Sequence, residues 1–102
     1  MGKHKSIQEL LENILAVSEK IIPGAVYRHF RQKGTYRVLG FTTFEEDDTV
    51  LVRYCPVGQP EFEISRRADT WFDQVEHEGE QTTRFVLLQA AADELGGDQA
   101  DG

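Results

Sequence analysis

Cysteine is nearly missing from this chain. Cys55 stands alone, so no internal disulfide can form and the fold must rest on its packed core. A single thiol fits a reducing compartment, and a cytoplasmic location is the default reading. Long apolar runs are missing as well. No stretch approaches the roughly 18 apolar residues that cross a bilayer, which argues against a membrane protein. A secretory leader is not expected, because the apolar positions after Ser6 are interrupted by Glu9, Glu12 and Asn13. Metal-ligand spacing is absent: His4, His29 and His77 come without a C-x-x-C or H-x-x-x-H pattern. The acidic run Glu45–Asp48 lacks the glycine and distal glutamate of a calcium loop and reads as a solvated turn. Neither a metal nor a cofactor is expected.

Basic side chains are scarce at one end. Net charge is −7 over 102 residues, and residues 73–102 carry all of it, with eight acids against Arg84 alone. Residues 28–37 hold four basic side chains and no acid. A polyanion is repelled by the acidic third and attracted to this short basic stretch, which disfavours bulk nucleic-acid binding and leaves room for a local patch.

What is present is a globular composition, 39% hydrophobic and 10% aromatic, at the size of one domain. Ser6-Ile7-Gln8-Glu9 matches a capping box, and Ile7, Leu10, Leu11, Ile14 and Leu15 follow at helical spacing. This predicts an amphipathic helix over 6–22, ended by Pro23-Gly24, with Ile21 and Ile22 tucked against the body. The period then changes. Val26–Phe30, Tyr36–Phe44, Val50–Cys55 and Glu61–Ser65 are β-prone runs broken by turn-like segments. Glu78-Gly79 predicts a hairpin turn between Gln74–His77 and Thr82–Gln89. The run from Arg84 through Ala92 reads equally as a last strand or the start of a helix. The expected fold is α+β: an N-terminal helix packed on a small, five-stranded, antiparallel, barrel-like (SH3-like) sheet. One domain over 1–95 is expected, with a β core over 24–89 and a flexible acidic tail over 96–102.

The run Gly24-x-x-Tyr27-Arg28-His29-Phe30, then Tyr36-Arg37-Val38-Leu39-Gly40, then Val52-x-Tyr54 resembles a bacterial family known only as domain of unknown function 1653. The resemblance covers residues 24–85. The family pattern has a polar, histidine-bearing turn after the glycine, where this chain has Thr42–Asp48 without histidine. It has a W-V-R-P segment where this chain has Phe62-Glu63-Ile64-Ser65-Arg66-Arg67. Arg31-Gln32-Lys33-Gly34 replaces a tight K-G turn. The resemblance implies a fold and no activity.

Tyr27-Arg28-His29 is the leading functional candidate. Strand alternation puts Tyr27 and His29 on one face and Arg28 on the other. The bland reading is a half-buried Tyr27 and a His29 that satisfies a backbone group. The functional reading has Arg28, with Arg37 or Arg53, gripping a carboxylate or phosphate. Cys55 with His29 as nucleophile and base lacks an orienting third group, and a packed thiol is the simpler account. The Met1–Ser6 segment fits an N-myristoylation pattern, but Ser6 already has a role as helix cap. Arg66-Arg67 followed by Trp71-Phe72 reads as a cation–π contact holding a loop, or else as part of a shallow groove with Tyr27, Tyr36 and Tyr54. The chain is therefore read as a non-catalytic binding module, with an enzyme the less favoured reading. It would take an unknown protein partner or a small anionic ligand through Tyr27, Arg28, His29, Tyr36, Arg37, Arg53, Tyr54 and Trp71. Weak single-stranded nucleic-acid binding, a small enzyme using His29 and Arg28, and a structural or oligomerisation subunit are the other readings.

Overall fold

The computed structural model describes residues 5–31 and 34–90. Its helix, α1 (Ile7–Ser18), starts at the expected cap. The Glu9 N–H donates to the Ser6 hydroxyl at 3.1 Å, and the Ser6 N–H donates to the Glu9 carboxylate at 2.9 Å. Two otherwise orphaned donors are thereby satisfied. The helix ends at Ser18 and does not run on to Ile22. The Lys20 and Ile21 N–H groups both turn back onto the Val17 carbonyl at 2.9 Å, and Ile21 drops into the core at 2% exposure. Gly24, at φ +85°, then makes the turn into the sheet, a conformation that costs glycine little.

Among the described residues seven strands follow: β1 (Val26–His29), β2 (Thr35–Phe44), β3 (Thr49–Pro56), β4 (Ile64–Arg67), β5 (Gln74–His77), β6 (Glu80–Thr83) and β7 (Phe85–Gln89). A 3-10 turn at Ala68–Thr70 links β4 to β5. Five strands form one antiparallel sheet in the order β4-β3-β2-β1-β7, while β5 and β6 pair as a separate ribbon. The ribbon turns at Glu78-Gly79 as the sequence predicts, with φ +55° and +83° at the two positions. That double positive φ gives the twist a two-residue hairpin needs.

The structure corrects the sequence reading at three further points. β4 begins at Ile64, not Glu61, because turn hydrogen bonds from Gln59 to Pro56 and from Phe62 to Gln59 hold the preceding loop. The expected single strand Thr82–Gln89 breaks at Arg84, whose N–H donates to the Asp73 carbonyl at 2.8 Å while its carbonyl accepts from Phe30 at 2.9 Å. Arg84 thus hands the chain from the ribbon to the main sheet, and Phe85–Gln89 is strand. Finally, the sheet is not closed into a barrel: among the described residues β4 and β7 are its two edges. The readings placed on residues 1–4, 32–33 and 91–102, including the acidic tail, lie outside the described residues.

The open sheet is nevertheless strongly curled. Tyr54 on β3 and Phe85 on β7 are three strand spacings apart, roughly 14 Å in a flat sheet. Their ring centroids are 5.6 Å apart. Trp71, fully buried just after the 3-10 turn, fills the hollow of the curl. It stacks flat on Phe85 at 3.8 Å and meets Tyr27 and Tyr54 edge-on at 5.5 and 5.0 Å. A bulge at Leu39 lets β2 keep Tyr36, Val38 and Phe41 towards this core, although the last of these is out of step with simple alternation. Among the described residues, no helix is long and apolar enough to cross a membrane.

Candidate functional site

The curl sorts the sequence candidates onto two faces. Tyr27, His29, Tyr36, Tyr54 and Trp71 belong to the concave side, and Arg28, Arg37 and Arg53 to the convex side. Tyr27 and Trp71 are buried outright and Tyr54 nearly so. The Tyr27 hydroxyl accepts from the Ile22 N–H at 3.1 Å, which ties the chain after α1 to the sheet. Burial raises the pKa of Tyr27 and of Tyr54; hydrogen bonds from Ile22 and Arg66, respectively, oppose the rise. Tyr36 packs edge-on against Tyr54 and Phe85. These rings are core wall.

The convex arginines are already engaged or stand among acids. Arg37 donates to the Gly24 carbonyl at 2.7 Å. Arg53 lies across Gly40, where a Cβ would come within 3.1 Å of its guanidinium. From there it makes a two-point contact with Glu63, at 2.7 and 3.3 Å. Arg28 is exposed and lines a cleft of about 450 Å³ with Phe30, His77, Glu78, Glu80, Thr82 and Val86. Two carboxylates in that lining make it a poor place for an anion. Cys55 and His29 lie on opposite faces of the sheet, so they form no dyad. Among the described residues there is no cluster able to hold a metal.

A second group assembles on the concave side, around Thr70. Arg66 on β4 donates from Nη1 to the Thr70 hydroxyl at 2.9 Å and also hydrogen-bonds the Tyr54 hydroxyl. Arg84 donates from Nε to the Thr70 carbonyl at 3.2 Å, with Asp73 at 3.5 Å from its Nη2. His29 lies close by: its ring meets Phe85 at 5.1 Å, and its Nδ1 accepts the Arg31 N–H at 3.2 Å. Burial lowers the His29 pKa below its ordinary value, and the positive charges of Arg66, Arg84 and Arg31 lower it further. Burial is the larger cause, and the three guanidinium charges add a locally positive environment.

Arg67, by contrast, is neutralised. It donates to Asp47 at 2.8 Å and stacks on Phe44 at 5.4 Å, not on Trp71 or Phe72. Hydrogen bonds from Thr49 and then Arg67 hold the Asp47 carboxyl at about 2. The two adjacent arginines therefore have different fates, decided by strand alternation. Sequence reasoning did not single out Arg66, Thr70 and Arg84 as one group. The Arg66-Arg67 pair was the available signal, and only the β3–β4 register turns one of the two towards Tyr54.

Comparison with known proteins gives the lineage without an activity. A family model described as a protein of unknown function, DUF1653, matches residues 25–87. The crystal structure of a DUF1653 protein from Bordetella bronchiseptica is similar, with a TM-score of 0.57 at 27% identity. The match covers 72% of this chain and 94% of that one. No curated protein sequence matches. With a family model spanning most of its length, the chain belongs to the DUF1653 family of proteins of unknown function.

Proposed function

We propose that this protein is a non-catalytic binding module that recognises an anionic group, free or carried on a partner segment, at the basic concave end of the curled sheet. The observation that carries this reading is the state of Arg66. Both of its hydrogen-bond partners, Thr70 and Tyr54, are neutral hydroxyls, and among the described residues it has no carboxylate partner. In a chain with an acidic excess, a guanidinium left uncompensated is a receptor for a negative group. In this reading the curl is an SH3-like platform, open between β4 and β7. The test is an amide NMR titration with a panel of small anions at constant ionic strength. Saturable shifts confined to residues around His29, Arg66, Thr70 and Arg84 are expected. Uniform, non-saturating shifts across the surface would sink the reading.

A second reading, a subunit that assembles through α1, is favoured by one observation. Ile7, Leu11 and Leu15 form an apolar row that is 76%, 51% and 64% exposed. Light scattering across a hundredfold concentration range tests it: a constant monomer mass removes it. Single-stranded nucleic acid fits less well, because Tyr27, Tyr54 and Trp71 are buried and offer bases no stacking surface.

A further inference from the structure

Three clefts on the described surface differ in the kind of charge they carry. One of about 310 Å³, beneath α1, sets Lys5 and Lys20 against Asp48 and Asp69. The Arg28 cleft includes Glu78 and Glu80. The third, of about 440 Å³, is lined by Tyr54, Ile64, Ser65, Arg66, Arg67 and Thr70, without a carboxylate. Building on the anion-recognition reading above, we infer that this third cleft is a phosphate-monoester site in which the guanidinium fork of Arg66 receives the phosphate oxygens.

Donor geometry supports it. A guanidinium has five N–H donors in a planar fork. Arg66 spends one on Thr70 and one on Tyr54, which fixes the plane of the fork without neutralising it. The Thr70 hydroxyl is itself oriented, because it donates to the Arg67 carbonyl at 2.9 Å. The remaining Arg66 donors face the open space of this cleft, which suits an acceptor with several oxygens.

Charge selects the class of ligand. Arg66 from β4, Arg84 from the β6–β7 link and Arg31 after β1 all bear on His29, and among the described residues Asp73 is the one carboxylate paired within this group. With His29 neutral, Arg66 in the cleft lining and the neighbouring Arg84 and Arg31 outside it set a positive potential that favours a dianion over a single carboxylate. A phosphate monoester carries close to two negative charges near neutral pH and presents three acceptor oxygens. A dianion placed there offsets the same arginines that depress His29, so the His29 pKa must rise when it binds.

The experiment uses isotope-labelled full-length protein at pH 7.5 and fixed ionic strength, titrated separately with inorganic phosphate, O-phosphoserine, acetate and chloride. Expected are saturable shifts at Tyr54, Ser65, Arg66 and Thr70 for both phosphate probes. Acetate should bind at least tenfold more weakly, and the His29 ring titration should move to higher pH with phosphate present. Arg66→Gln should weaken phosphate at least tenfold and Arg66→Lys less, since a point charge replaces the fork. Arg28→Gln should leave affinity unchanged, and unaltered β-sheet chemical shifts in each variant establish that it is folded. A phosphoserine peptide run against its unphosphorylated twin separates a peptide-borne phosphate from a free one. Phosphate shifts mapping to the Arg28 cleft would overturn this site and leave anion recognition standing. Equal binding of acetate would overturn the dianion class. No shift with any anion would overturn both the site and the wider reading.

Discussion

The helix and the curl around Trp71 are the two extremes of this molecule. α1 has the strongest local signal in the chain, a complete capping box followed by apolar residues at helical spacing, yet none of its residues is fully buried. The curl is built from short strands with weak individual signals, yet it buries Trp71, Tyr27, Phe85, Val38 and Val52 almost completely. The family match, residues 25–87, covers the second region and leaves out the first. Local legibility and structural weight are thus different quantities: a helix announces itself through its own hydrogen bonds, whereas a core is made by residues distant in sequence.

That contrast can be tested by perturbing each side. Trp71→Ala should cost about 3–5 kcal/mol, because it empties the centre of the aromatic stack; urea unfolding followed by circular dichroism reads it directly. A loss below 1 kcal/mol would mean that the curl does not depend on Trp71. Ser6→Ala should cost about 1 kcal/mol within α1, seen as roughly fivefold faster hydrogen exchange in the first helical turn. The sheet amides should be unaffected, and a matching acceleration there would show that helix and sheet unfold as one unit. Leu11→Ala, on the exposed row, should move stability by less than about 0.5 kcal/mol. A larger loss at high protein concentration only would point to self-association through α1.

The smallest effect is one of pH. Folding lowers the His29 pKa, so the unfolded chain takes up the proton more readily. Stability is therefore retained above the ordinary histidine value near 6.5 and eroded as pH falls from there through the lower folded value. Comparing urea midpoints at pH 7.5 and 5.5 in wild type and His29→Gln isolates this part. A pH response that is unchanged in the variant would assign it elsewhere.

Much of the fold was readable from residue pattern alone: the cap at Ser6, the Glu78-Gly79 turn and the first three strands. What escaped depended on partners far along the chain. β4 starts late because its preceding loop is held by turn bonds, and the break at Arg84 exists because Asp73 and Phe30 claim its backbone groups from opposite sides. The candidate site was legible only as residue types. Arg53 and Arg66 read alike in sequence; one meets Glu63 and the other two hydroxyls, and only strand pairing decides which. Tyr54 and Trp71 read as groove-lining aromatics, but curling of the sheet brings them into its core.

The join between Asp73 and Arg84 has one more consequence. A backbone hydrogen bond of 2.8 Å and a 3.5 Å ion pair clamp the two ends of the β5–β6 ribbon together, with Trp71 and Phe85 stacked just outside the clamp. Everything from Gln74 to Thr83 is therefore an excursion that leaves the main sheet and returns to nearly the same point. Such a segment is a natural cassette. Its length and side chains can be exchanged by an engineer while the clamp keeps the surrounding architecture in register.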